Sequence, residues 1–159
     1  MRNRTVAVAV FLAALGLTLQ AQAQDRLARF EGGIGVIPAR VGGAANVVRG
    51  VNPGGQVWVI SRLSADVKSD GRISVDGRGL LLGGGDNIGT NAAQSVRARL
   101  FCGAGTGTAF DSELVPLEAN GDFRIESQLS GLLPAECERP VLLIVSAGGN
   151  WFAAGIPKL

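Results

Sequence analysis

The chain has 159 residues, 47% of them hydrophobic, with 15 basic and 13 acidic side chains and neither histidine nor tyrosine. Without an imidazole it cannot assemble a Ser-His-Asp or Cys-His unit, and it lacks the commonest zinc and iron ligand. The two surplus positive charges are Arg2 and Arg4, so the chain from residue 24 onward is neutral and has no electrostatic basis for binding nucleic acid or an anionic membrane.

Residues 1–23 read as a Sec-type signal peptide. Arg2 and Arg4 form a positive n-region, residues 6–19 are apolar and uncharged, and Ala21-Gln22-Ala23 is an A-x-A cleavage site that leaves Gln24 as the new N-terminus. Fourteen apolar residues fall short of the roughly 20 that a spanning helix needs. Gln24 stands where a lipoprotein would have Cys, and Asn3 separates the two arginines, so neither acylation nor twin-arginine export is indicated. The expected location is extracytoplasmic, periplasm or medium, with no membrane span left after cleavage. The organisation expected is a signal peptide over 1–23, an irregular N-terminal segment over 24–45 and a β domain over 46–159.

Residues 24–40, with Gly32, Gly33 and Gly35 close together, are expected to be irregular or a first edge strand. Residues 46–51 read as a short strand ended by the turn Asn52-Pro53-Gly54-Gly55. Residues 56–63 (QVWVISRL) read as a strand whose continuous apolar centre implies burial on both faces. The next two strands form a hairpin. A three-residue loop, Ser69-Asp70-Gly71, pairs Val67 with Ile73 and Ala65 with Val75, and puts Gly71 in the left-handed position of a type I turn with a G1 bulge. A two-residue loop would mix apolar and polar side chains on one face. The same reasoning gives a second hairpin at Ala119-Asn120-Gly121, pairing Leu117 with Phe123 and Val115 with Ile125.

Residues 80–82, 95–101, 141–147 and 151–156 complete the strands. Val96, Ala98 and Leu100 point inward while Arg97 and Arg99 face solvent. Gly148-Gly149 makes the last tight turn. Residues 88–95 hold at most one helical turn. About eight short strands with regular turn signals predict a single antiparallel β-sandwich or small barrel.

Cys102 and Cys137 are the only cysteines. An even count in an exported chain reads as one disulfide, with no C-x-x-C spacing to imply redox activity. Gly83-Gly84-Gly85-Asp86-Asn87, with Thr90 and Asn91 nearby, is the candidate ligand loop. A P-loop would need a following Lys-Ser/Thr, and a calcium β-roll would need tandem repeats, so a plain connecting loop is the simpler reading. Asp66 and Asp76 share the polar face of the first hairpin. They fall opposite Ser74 and Ser64, among Arg62, Lys68, Arg72 and Arg78, which reads as a solvated ionic face and not as a glycosidase pair. Trp58, Trp151, Phe123 and Phe152 sit inside strands, where core packing is the expected role and a ligand platform the alternative.

Several unbroken stretches resemble a family of small exported bacterial proteins with no assigned function. They are Trp58-Val59-Ile60, the DGRGLLL run from Asp76 to Leu82, Leu100-Phe101-Cys102, the GDFRI run from Gly121 to Ile125, the PVLLI run from Pro140 to Ile144 and the WFAAGIP run from Trp151 to Pro157. The resemblance implies one exported domain and offers no activity, cofactor or catalytic residue. The expectation is therefore a non-catalytic binding or structural module of the envelope or medium, without cofactor or metal, with a protein or glycan as partner. The alternatives are a small carboxylate-dependent hydrolase, acting on carbohydrate, and a secreted inhibitor or surface-assembly subunit.

Overall fold

The structure, a computed structural model, describes residues 26–41 and 44–158. The signal peptide expected over residues 1–23, with its cleavage site, lies outside the described residues. Thirteen strands follow in chain order: β1 (Arg26–Gly35), β2 (Arg40–Val41), β3 (Ala44–Ala45), β4 (Trp58–Val59), β5 (Arg62–Lys68), β6 (Arg72–Arg78), β7 (Leu81–Leu82), β8 (Ser95–Cys102), β9 (Thr108–Asp111), β10 (Val115–Pro116), β11 (Phe123–Gln128), β12 (Val141–Ser146) and β13 (Trp151–Pro157). The fold is all-β, as the turn spacing predicts.

The main sheet has the order β10-β8-β12-β13-β1-β5-β6-β11, with β9 also paired to β8. Every pairing is antiparallel. The sheet curls into a half-barrel. Its two edges are bridged by isolated bonds and not by a ladder: Ser130 N–H donates to Asp111 O (2.9 Å), Asp111 N–H to Ser130 Oγ (3.0 Å) and Glu113 N–H to Ser127 Oγ (3.2 Å). Alternation along each strand fills the concave side. Phe30, Val67, Val75, Val96, Ala98, Leu100, Ile125, Leu142, Ile144 and Ala153 have no exposed surface. Each large apolar side chain buried this way contributes roughly 1.5–3 kcal/mol.

The first hairpin has the expected register, Val67 against Ile73 and Ala65 against Val75. Gly71 takes φ +89°, and its N–H closes the turn on Lys68 O (3.0 Å). The last hairpin turns through Gly148-Gly149, with Gly149 N–H on Ser146 O (2.9 Å). At Gly121 (φ +81°) the expected turn forms, with Gly121 N–H on Glu118 O (2.8 Å), but the expected hairpin does not. Val115 pairs with Val96 of β8 and Ile125 with Val75 of β6, so the turn links the two edges of the sheet. Strand β8 draws β10 away: Leu117 N–H bonds Gln94 O (3.0 Å) and Ser112 N–H bonds Ala98 O (2.9 Å).

Three other expectations are corrected. Within the segment 24–45, expected to be irregular or an edge, residues 26–35 form β1, which lies between β13 and β5 in the middle of the sheet. Its glycines interrupt the apolar–polar alternation that marks the other strands. Residues 46–51 form a tight turn closed by a Val48–Val51 bridge, not a strand. Residues 56–63 break between β4 and β5, and Val59 is 48% exposed, so burial there is one-sided.

The convex side is mixed. Over β5, β6 and β11 it is ionic. On β12 the outward positions Leu143 and Val145 are fully buried, and residues 46–53 are tied along that side. Trp151 Nε1–H donates to Asn46 O (3.0 Å), Gly54 N–H to Trp151 O (2.9 Å), and the Arg49 guanidinium to Gly103 O (2.8 Å) and Arg139 O (2.9 Å).

Candidate functional site

The main sheet and the separate β4–β7 ladder bring the start of β4, the end of β7, the start of β8 and the β12–β13 turn to one end of the half-barrel. Phe152 is the extra residue of a β-bulge, since Ile144 faces Ala153 but Val145 faces Trp151. A bulge re-aims its side chain. Here it turns the Phe152 ring onto Trp58, with centroids 4.1 Å apart and planes 13° from parallel. Val36 fixes both partners: its N–H donates to Phe152 O (2.8 Å) and its carbonyl accepts from Trp58 N–H (2.9 Å). Residue 54 passes so close over the rings that a Cβ would lie 2.8 Å from Phe152 Cδ1, which leaves glycine as the residue that fits.

The edges of this pair, with Leu82, line the base of an open groove of about 420 Å³. Amide side chains rim it. Gln56 and Asn87 come from the two loops beside β4 and β7, Gln94 from the approach to β8, and Asn150 from the last turn. Ser146 holds that turn: its N–H donates to Asn150 O (2.8 Å) and its Oγ accepts from Asn150 N–H (3.2 Å). Gln94 Nε2 donates to Ala92 O (3.2 Å). The side-chain amides of Gln56, Asn87 and Asn150 make no hydrogen bond among the described residues. No ionisable side chain among them lines the groove. The groove can therefore offer paired donors and acceptors over an apolar floor, and has no group to transfer a proton.

The glycine-rich loop Gly83, Gly84, Gly85, Asp86, Asn87 is pinned at its base by Gly83 N–H on Val57 O (2.8 Å) and Gly89 N–H on Leu82 O (2.8 Å). It sends Asn87 to the groove and leaves Asp86 exposed. No group of three or more His, Cys, Asp or Glu among the described residues is arranged to hold a metal.

Several carboxylates lie on the ionic convex face, where arginines hold them. Asp66 pairs with Arg26 (2.6 Å), and Asp111 takes a bidentate bond from Arg99 (2.7 Å to each oxygen). Arg78 bridges Asp76 and Asp122, at 2.9 Å from each, and Asp122 also accepts Gly79 N–H (3.0 Å). The Arg78 hydrogen bonds hold both carboxyls below the usual aspartate range, and push Arg78 itself further up. Lys158 and Arg29 lower Glu31 in the same way. Asp66 stands opposite Ser74, and Asp76 opposite Ser64, as the register argument predicts.

Cys102 and Cys137 form the expected disulfide, with Cα atoms 4.8 Å apart. It ties the end of β8 to the loop before β12, at the end of the half-barrel opposite the groove. Trp58, Trp151, Phe123 and Phe152 are all at most 5% exposed and belong to the core, with Trp58 and Phe152 reaching the groove only at the edge of their stack.

Sequence reasoning missed Gln56, Gln94 and Asn150 as site residues. Each stands next to a turn, where an amide is ordinary turn chemistry. Only their convergence in space sets them apart. No family model, no curated protein and no solved structure matches this chain.

Proposed function

We propose that this chain is an exported, non-catalytic binding module that takes its ligand in the groove at the end of the half-barrel. The observation that carries this reading is the set of three unspent amides around the edge of an aromatic stack, in a groove lined by no ionisable group. A binding site needs a few polar groups beside a preformed apolar surface. An acid–base catalyst needs a titrating group, and the carboxylates with lowered pKa on the convex face stay ionised at neutral pH, so they cannot act there as general acids. Export is supported by the disulfide, which persists in oxidising compartments, and by the pattern of residues 1–23. No helix among the described residues is long and apolar enough to cross a membrane.

The test uses the processed, disulfide-intact protein immobilised beside a Gln56→Ala/Asn150→Ala double variant, each incubated with envelope and medium extract. Retained molecules are identified by mass spectrometry. Retention by the parent and loss by the variant is the expected result. Equal retention would remove the groove from the reading. Turnover in a screen of glycans, esters, peptides and phosphoesters, abolished by Asp66→Asn, Asp76→Asn or Asp86→Asn, would replace binding with carboxylate-dependent hydrolysis.

A further inference from the structure

We infer that the groove's ligand is an uncharged saccharide, an inference that rests on the binding-module reading and names its ligand class. The argument is one of matching groups. Gln56, Asn87 and Asn150 each present a donor and an acceptor on one planar amide, and none is used within the described fold. A sugar bearing vicinal hydroxyls offers donors and acceptors at the same spacing, so one amide can engage two of them. The apolar base between the amides, formed by Leu82 with the edges of Trp58 and Phe152, suits the apolar C–H surface of a pyranose ring.

Other ligand classes fit less well. A purely apolar ligand would bury three amides without partners, at about 1–3 kcal/mol each. A charged ligand would be desolvated with no counter-charge in the lining. A peptide strand needs an unbroken row of free backbone groups, whereas this groove is lined by short stretches of separate loops, and some of the backbone groups around it are committed. Gly54 N–H bonds Trp151 O, Gly83 N–H bonds Val57 O and Gly89 N–H bonds Leu82 O, at 2.9, 2.8 and 2.8 Å. The groove volume of about 420 Å³ lies toward the lower end of small-ligand sites, room for a mono- or disaccharide unit. Its open side lets a longer glycan run past.

The experiment is a glycan array carrying neutral and charged oligosaccharides together with neutral peptides, probed with the processed, disulfide-intact protein. Calorimetry on the best binder follows. The expected result is saturable binding to a neutral saccharide, weakened about three- to tenfold by each of Gln56→Ala, Asn87→Ala and Asn150→Ala. Glu136→Ala, at the far end near the disulfide, is expected to leave affinity unchanged. Circular dichroism and the urea midpoint check that each variant is folded. Because the lining has no titratable group, affinity should stay flat between about pH 5 and pH 9. Affinity unchanged in the three amide variants, or binding confined to charged glycans or to peptides, overturns the inference. If the Gln56→Ala/Asn150→Ala variant loses a captured molecule that is not a saccharide, the inference fails while the binding-module reading stands. If the groove variants change nothing in either experiment, both fail.

Discussion

Gly71→Ala and Gly121→Ala make the same change in the same kind of turn, and the surroundings separate their effects. Both residues have positive φ, +89° and +81°, so a Cβ costs about 1 kcal/mol in each from backbone strain alone. At Gly121 the new methyl would lie 2.6 Å from both Leu80 N and Leu80 O. Those are backbone atoms of a fully buried residue, and Leu80 N–H donates to Gly121 O at 2.9 Å. Relief requires the chain to part there, which sacrifices that bond, about 1 kcal/mol, and loosens the packing of Leu80 by about as much again. The expected cost is about 3 kcal/mol. At Gly71 the methyl would land on the Gln128 amide, the end of an exposed side chain that can swing away and give up its bond to Asp70 O (2.6 Å). The expected cost there is about 1.5 kcal/mol. Asp70→Ala should cost less than either glycine change. Urea unfolding of the disulfide-intact proteins, followed by tryptophan fluorescence, measures the difference directly, provided the slopes agree. Equal losses at the two glycines, or a larger loss at Gly71, would refute the reasoning.

Cys102→Ser and Cys137→Ser should each lower stability by a few kcal/mol and by similar amounts, since closing a 35-residue separation is worth roughly 4 kcal/mol in the chain-entropy model. Thiol titration under denaturing conditions should find none free in the parent. Acid should destabilise the fold. The folded-state pKa values of Asp76, Asp122, Asp70 and Glu31 are lowered, so the stability they confer is present above their unfolded values, 3.8 for aspartate and 4.5 for glutamate, and is lost as pH falls through the lowered ones. Arg78→Gln releases both Asp76 and Asp122 and should flatten that decline, as read from urea midpoints across acid pH. N-terminal sequencing of the exported protein should begin at Gln24, and recovery of an intact Met1 form would contradict cleavage.

Much of the local structure was legible in the sequence because residues a few positions apart determine it. The alternation of Leu63, Ala65 and Val67 against Ile73 and Val75, with glycine third in the loop, admits one register that keeps a face apolar, and that register is the one observed. Val96, Ala98 and Leu100 face inward for the same reason. The disulfide followed from an even cysteine count. Other features depended on which strand edges meet, and that choice is made by packing between residues far apart in the chain. The turn at Gly121 could be foreseen, but nothing local says that β10 prefers β8 to its neighbour β11. The glycine-broken segment 26–35 becomes an interior strand because β5 and β13 both find a partner in it. The candidate groove is the extreme case. Gln56, Asn87 and Asn150 lie in three separate loops and look like turn residues in each. Only the curling of the sheet, and the bulge that turns Phe152 onto Trp58, bring them around one floor.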